Sequence, residues 1–180
     1  EARRVGASLR LLPQTTPPKD SGTVVAELAI RLRLETPIVV IYGDVWFPDG
    51  WYDRAREAAY LVASGDCTAA LAAGILPPGE LRRGMLRLDS DVTVDRCARV
   101  LGISEDGADR RARHHSAGIV ILRAGAVPAL KGDLMRDLLP AMHARTMHAF
   151  GVHDEVGRQV DCGDLGRYAQ FQAAEAIPAA

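Results

Sequence analysis

Two pairs of arginines, each with one residue between its members, are the first groups in this sequence that could do chemistry. Arg31 and Arg33 form one pair, and Arg111 and Arg113 form the other, 80 positions further along the chain. The guanidinium group is a planar fork whose geometry matches a carboxylate or a phosphate. Residues two apart on a strand share a face, so the spacing predicts a sheet surface that binds an anion. The alternative is the solvent-exposed, charged face of an amphipathic sheet.

A carboxylate and a pair of histidines are the candidates for proton transfer. Asp44 follows an apolar segment, and His114-His115 directly follow the second arginine pair. Histidine titrates near neutral pH, and adjacent strand residues point to opposite faces, so we expect only one histidine to serve a site. Asp44 and His114 are therefore the candidate catalytic residues. Trp46 is expected to line an apolar pocket, with core packing as the alternative.

A second set of histidines does not predict a metal site. His143, His148 and His153 are spaced five residues apart, which rotates successive members by about 140° on a helix. The helical spacing that binds metals is i, i+4, so a zinc site would need the tail to fold back. The sequence also lacks a Gly-Lys-Ser/Thr phosphate loop, a nucleophile elbow, an HExxH helix and a CxxC pair. We predict neither a metal ion nor a cofactor.

Composition predicts one globular domain over residues 1–180. The chain is 48% hydrophobic and 25% charged, as in ordinary globular proteins. Its net charge of −1 disfavours nucleic-acid binding, since nucleic-acid binders usually carry a basic surplus. No apolar run approaches the ~18 residues that span a bilayer, and the first residues lack a signal-peptide core. Three isolated cysteines indicate reduced thiols and a cytoplasmic protein. The oligomeric state is not determined by the sequence.

The two arginine pairs begin two segments that resemble each other, 31–48 and 111–128. At a constant offset the two copies share the arginines, a Val-Ile pair and a final proline. Alternating apolar residues over 25–35 predict a strand, and the β-branched run over 38–47 predicts its partner. We therefore predict two hairpins, the second over about 109–127, that form one antiparallel sheet.

Helices are predicted around these hairpins. The longer ones are expected from about residue 50 to 62, over 131–150 and over 165–176, and shorter ones over 68–73 and 95–101. Residues 85–88 are expected to be extended. The predicted core is about 20–130, with 131–180 as a helical C-terminal extension of the same domain.

Residues 94–113 resemble a helix-turn-helix motif. Small and apolar residues stand at the usual positions, among them Ala98 and Gly102. Gly107 is a poor helix former, and the acidic residues near it would face phosphates. DNA binding through this segment is one alternative function.

The order of the segments resembles the chorismate lyase-like superfamily, which includes chorismate lyases and the UTRA ligand-binding domains of bacterial regulators. The resemblance rests on segments 27–48, 76–81, 98–103 and 110–128, and it covers about residues 20–130. It implies an antiparallel sheet with helices packed on one face and a ligand enclosed between them. It also implies that Arg111 and Arg113 grip a carboxylate.

Two positions depart from the pattern of that superfamily. Chorismate lyases carry a catalytic Arg four residues before the first strand-ending proline, where this chain has Asp44. They carry a catalytic Glu four residues before the second, where this chain has Ala124. Ordinary chorismate lyase activity is therefore not expected.

The leading interpretation is an α+β domain whose cavity binds a small carboxylated organic ligand, as a divergent lyase-type enzyme. The partner is then a small anionic or aromatic molecule. The residues assigned to the cavity are Arg33, Arg111 and Arg113 for the anion, Trp46 for its wall, and Asp44 or His114 for proton transfer. The other alternative is a non-enzymatic ligand-sensing or assembly module.

Overall fold

The structure, a computed structural model, describes residues 20–47, 50–76, 79, 84–93, 96–104, 107, 109–142, 146–151 and 160–175. The helices are α1 (Ser21–Leu32), α2 (Trp51–Ser64), α3 (Leu134–Met142) and α4 (Leu165–Glu175), with a 3₁₀ helix over Ala124–Ala129. The strands are β1 (Ile38–Ile41), β2 (Val45–Trp46), β3 (Ala69–Ile75), β4 (Met85–Leu88), β5 (Ala98–Ser104), β6 (His114–Leu122), β7 (Met147–Gly151) and β8 (Val160–Asp161). The predicted α+β class is confirmed.

Six strands form one mixed sheet in the order β1-β6-β3-β7-β5-β4, and β2 pairs with β8 in a separate two-stranded sheet. The pair β3–β7 is parallel, and the remaining pairs of the large sheet are antiparallel. The predicted antiparallel sheet of two hairpins is therefore wrong. Parallel neighbours need a crossover between them, and the long chain segment from β3 to β7 supplies it.

Strand β6 is the centre of this sheet. It pairs with β3 along one edge, and along the other edge it pairs with β4 near His114 and with β1 near Leu122. The pairings β6–β3–β7–β5–β4–β6 therefore form a closed circuit of strands, from which β1 projects as the free end.

The strand directions define two ends of the sheet. Both β1 and β3 run antiparallel to β6, and β7 runs parallel to β3. The carboxyl ends of β1, β3 and β7 therefore point towards the same end of the sheet, the end at which β6 begins, although β1 stops beside the middle of β6. We refer to this end as the carboxyl end and to the opposite one as the amino end.

Helices cover both faces of the sheet, which corrects the prediction of helices on one face. Helices α1 and α3 pack with Val120 and Leu122 of β6 in one core cluster, and α2 packs with Ile119 and Ile121 in another. All four of these β6 side chains are fully buried. Each contributes roughly 1.5–3 kcal/mol through burial.

The first arginine pair does not lie on a strand. Residues 25–35 were expected to be extended, but α1 occupies 21–32, so the first predicted hairpin is absent. Gly22, Ala26 and Ala29 recur at helical spacing and are the residues that α1 buries. Their small side chains allow a close helix–sheet approach, while Ile30, which the alternating pattern placed inside, is 63% exposed. The helix ends at Arg33, whose φ of 50° is left-handed.

Several segments also form a different kind of secondary structure from the one predicted. Residues 68–73 and 95–101 fall largely in strands β3 and β5 instead of helices, and 131–150 contains α3 followed by β7. The second repeat contains the single strand β6 and the 3₁₀ helix, so the second hairpin is absent as well. Helices α2 and α4 and strand β4 are confirmed. The single domain with a core over about 20–130 stays a prediction, although β7 lies beyond that core.

A glycine in the middle of β6 allows β2 to approach the sheet. Leu71 pairs with Val120 and Ala73 with Ser116, so β6 advances four residues where β3 advances two. Gly118 lies in this bulge with φ of +82°, and a Cβ on it would lie 2.9 Å from Cγ2 of Val45. Glycine is required here by the backbone conformation and by the packing of β2.

We expect Gly118→Ala to lower the free energy of unfolding by about 2–4 kcal/mol, because it combines backbone strain with a steric clash. Urea denaturation measures this change. Gly50→Ala is the matched control for strain alone, since Gly50 has φ of +86° and a Cβ on it would meet no atom within 4 Å. Gly43→Ala, with neither feature, should be nearly neutral. An equal cost for Gly118→Ala and Gly50→Ala would show that the contact with β2 contributes nothing.

Candidate functional site

The chain turns sharply beyond β1, at the carboxyl end of the sheet, and Asp44 lies in this turn. The backbone N–H of Tyr42 donates to the carbonyl oxygen of Gly118 at 2.9 Å, and that of Cys162 donates to the carbonyl of Asp44 at 2.6 Å. Val45 then pairs with Asp161 across the two-stranded sheet. The backbone of Asp44 is thus held on both sides, while its side chain is exposed.

His114 opens β6 at the same end of the sheet but is buried, with 6% of its surface exposed. It lies between Ile75 of β3 and Leu86 of β4. Burial lowers the pKa of its imidazole below the ordinary value, Asp91 opposes this shift, and Arg113 adds to it. His114 is therefore held as a neutral side chain within the strand circuit, and its predicted role in proton transfer stays a prediction.

Arg111 and Arg113 lie immediately before β6 and are exposed. The N–H of Arg111 donates to Oδ1 of Asp109 at 3.0 Å, which fixes the turn that leads into the strand. Four residues of extended chain separate Gly118 from His114, at most about 13 Å. The second arginine pair and Asp44 therefore belong to the same end of the sheet.

Arg33 lies at the amino end instead. It lines a shallow open groove of about 220 Å³ between the end of α1 and the 3₁₀ helix. The other lining residues are Ala29, Ile30, Leu34, Glu35, Ala124 and Pro128. The structure therefore does not bring Arg33 together with Arg111 and Arg113, because Arg33 precedes β1 near the end of β6, whereas Arg111 and Arg113 precede the start of β6.

The predicted aromatic wall is divided between a strand and a helix. Trp46 lies in β2 and is half-buried, two residues beyond Asp44. Phe47 and Trp51 stack with ring centroids 5.3 Å apart, and Trp51 meets Tyr52 edge-on at 5.9 Å. Aromatic contacts thus join β2 to the start of α2, next to the Asp44 turn.

The described thiols and histidines do not form a further reactive centre. Cys67, Cys97 and Cys162, all within the described ranges, form no disulfide. Burial, with a smaller contribution from Cys97, raises the pKa of Cys67 to about 11 against the opposing charge of Arg123. That thiol is protonated at neutral pH and is a poor nucleophile.

No group of three or more histidine, cysteine, aspartate or glutamate side chains in the described part of the chain could hold a metal ion. His148 lies in β7, while His143 and His153 lie outside the described residues. Within the same described ranges, no helix is both long enough and apolar enough to cross a membrane.

The helix-turn-helix alternative is wrong for the part of 94–113 that the structure describes. Ala98–Ser104 is strand β5, and it pairs with β4 and β7. A strand inside a sheet cannot serve as the helix that enters a DNA groove.

Sequence reasoning missed two contributors to this region. Gly118 interrupts a β-branched run, and a glycine inside such a run is the usual signal of a bulge or a close backbone approach. Cys162 contributes through its backbone N–H, which donates to the carbonyl oxygen of Asp44. No sequence signal could have placed it beside Asp44, which is 118 positions earlier.

No family model and no curated protein matches this chain. Solved structures do match it. A UTP-bound UGPase from Acinetobacter baumannii has a TM-score of 0.72 at 16% identity, over 92% of this chain and 60% of its own. A UDP-glucose pyrophosphorylase complexed with UDP-glucose has a TM-score of 0.70 at 15% identity, over 91% of this chain and 64% of its own. A protein described as a candidate glucose-1-phosphate thymidylyltransferase from Bacillus anthracis has a TM-score of 0.67 at 14% identity, over 99% of this chain and 70% of its own.

This chain has the fold of nucleotidyltransferases. The structural matches overturn the resemblance to the chorismate lyase-like superfamily, and with it the lyase interpretation. That resemblance depended on two hairpins, neither of which forms. The chain spans about three-fifths of the length of the UGPase structures that it matches.

The pH dependence of stability should report the buried state of His114. Its folded pKa is lowered from the ordinary 6.5, so as the pH falls below that value the unfolded chain takes up the proton first. Stability is therefore lost between pH 6.5 and the lower folded pKa, and is unaffected by this group above pH 6.5. Urea denaturation across this window measures the loss.

His114→Gln should remove this part of the pH dependence, since glutamine does not titrate. Asp91→Asn should extend the loss to lower pH, because it removes the charge that raises the pKa of His114. An unchanged pH profile in His114→Gln would contradict the assignment.

Proposed function

We propose that this chain is part of a nucleotidyltransferase that joins a nucleoside triphosphate to a sugar phosphate at the carboxyl end of its sheet. The observation that carries this proposal is the TM-score of 0.72 over 92% of the chain with a UTP-bound UGPase. A second match holds UDP-glucose. Enzymes that act on small molecules can share a fold and differ in reaction, so the residues of this chain must support the chemistry.

The proposed reaction is a nucleotidyl transfer, which is a substitution at phosphorus. An oxygen of the sugar phosphate attacks the α-phosphorus of the nucleoside triphosphate and forms a new P–O bond. The bond between the α-phosphorus and the bridging oxygen breaks, and pyrophosphate leaves with its electron pair. Catalysis of such a step depends mainly on positioning the two anions and on stabilising their charge.

The position of Asp44 fits this reaction. Ligands of α/β sheets bind beyond the carboxyl ends of strands, and Asp44 follows the end of β1 in a turn held by two backbone hydrogen bonds. A carboxylate repels phosphates unless a cation lies between them. Mg²⁺ is commonly held by one or two carboxylates together with substrate phosphates, so the exposed carboxylate of Asp44 suits a cation that arrives with the nucleotide. Such a cation would neutralise phosphate charge.

The second arginine pair supports binding of the phosphates. Arg111 and Arg113 are exposed at the same end of the sheet as Asp44, and guanidinium groups bind phosphate through bidentate hydrogen bonds. The predicted small anionic partner is retained in this proposal as a phosphate-bearing ligand. The predicted carboxylated ligand is not.

We expect Asp44→Asn to weaken the binding of UTP in the presence of Mg²⁺ by about tenfold or more, because interactions with a charged group contribute about 1.5–3 kcal/mol. Isothermal titration calorimetry measures the affinity. Asp66→Asn is the matched control, since Asp66 is an exposed aspartate before β3, at the amino end of the sheet. Equal affinities of Asp44→Asn and the unmodified protein would argue against the proposed site.

We expect Arg111→Ala combined with Arg113→Ala to weaken binding of UTP or of glucose 1-phosphate by about tenfold, since two charge-assisted phosphate contacts are lost. Arg33→Ala should leave both affinities unchanged, because Arg33 lies at the amino end. The measurement is again calorimetric titration. A loss with Arg33→Ala and none with the double variant would place the anion site in the groove beside α1.

A further inference from the structure

Strand β1 has an edge that no other described strand covers. It pairs with β6 through Ile38, Val39, Val40 and Ile41, and β6 is its partner in the large sheet. The opposite end of the strand order is closed, because β4 pairs with β6 as well as with β5. Among the described strands of the large sheet, β1 is therefore the one with an open edge.

The backbone groups at this edge can be assigned from the register. Tyr42 donates its N–H to Gly118 of β6, and in an antiparallel pair the direction of the backbone groups alternates with each residue. The N–H and C=O groups of Val40 therefore point towards β6. Those of Val39 and Ile41 point away from it, towards the open edge.

The side chains at the same two positions are also uncovered. Val39 is 44% exposed and Ile41 is 47% exposed. They pair with Ile121 and Ile119 of β6, whose side chains α2 helps to bury. Helix α2 packs over β6, β3 and β7, so the apolar face that it covers continues onto β1 without the same cover.

The sequence of β1 is unsuited to an edge that faces water. It reads Ile-Val-Val-Ile, without a charge or a proline. Edge strands of soluble proteins usually carry lysine, proline or a bulge that prevents pairing with another strand. The strand is instead suited to an interior position in a larger sheet.

We propose that the open edge of β1 pairs with a further β-strand from polypeptide beyond these 180 residues, and that this polypeptide also covers Val39 and Ile41. The length of the structural matches supports this occupant, because this chain spans 60% of the UTP-bound UGPase that it matches. The remaining two-fifths of such a fold contains enough chain for a strand and a covering helix. The inference rests on the shared fold and not on the proposed activity.

Hydrogen exchange followed by NMR tests this proposal by comparing residues 1–180 with the full polypeptide that the gene encodes. In the full polypeptide, the amides of Val39 and Ile41 should exchange at least about tenfold more slowly than in 1–180, as expected for amides that enter a sheet hydrogen bond. The amide of Val40 is the internal reference, since it already points towards β6. Equal exchange of Val39 and Ile41 in both proteins would overturn the proposal.

Two other occupants give distinct results. A second copy would protect these amides in 1–180 in a concentration-dependent manner, with a dimer in sedimentation analysis. Residues 1–19 would protect them in monomeric 1–180. Either result would overturn the proposal, and so would a gene product no longer than 1–180 whose amides at both positions exchange freely.

Paired substitutions provide a second readout that does not depend on enzyme activity. Val39→Lys with Ile41→Lys should lower the Tm of the full polypeptide by at least about 3 °C and leave that of 1–180 nearly unchanged. Tyr60→Lys is the matched control, because Tyr60 is 69% exposed on α2, and it should change neither protein. If the full polypeptide does not bind UTP while the amides of Val39 and Ile41 are protected, only the proposed function is contradicted.

Discussion

The described structure depends on β6, a strand that is buried on both faces and paired along both edges. Its side chains alternate between the core under α1 and α3 and the core under α2. Its hydrogen bonds hold β3 on one side and both β1 and β4 on the other. Burial on both faces and backbone pairing along both edges are thus concentrated in a single segment. A change there affects both cores and three neighbouring strands together.

The candidate site follows from the way β6 accommodates its neighbours. Gly118 has no side chain at the point in the bulge where β2 packs against the large sheet, and Val45 of β2 occupies that space. The turn that carries Asp44 can therefore bend across β6 and bond to Cys162. The backbone of the turn is fixed while the carboxylate faces solvent. This arrangement suits a group that must meet a mobile ligand in a constant position.

The open edge of β1 lies next to the candidate site. A strand circuit has few exposed backbone groups, and here the pairing of β4 with β6 closes one end of the sheet. The unpaired groups are left on β1, beside two exposed apolar side chains. Asp44 lies just beyond this strand, so polypeptide that pairs with β1 would also approach the candidate site.

The sequence by itself determined the α+β class, the helices α2 and α4 and the extended segment at β4. These features depend on local patterns, such as the helical spacing of Ala55, Ala58 and Val62. Tertiary structure decided the rest. Segment 25–35 alternates like a strand, yet it forms a helix because Gly22, Ala26 and Ala29 pack closely against the sheet and the loop before α3. The direction of β1 separates Arg33 from Arg111 and Arg113, and the similarity between the two repeats does not contain that information. Strand direction and pairing are set by contacts between residues far apart in the chain, which local periodicity cannot report.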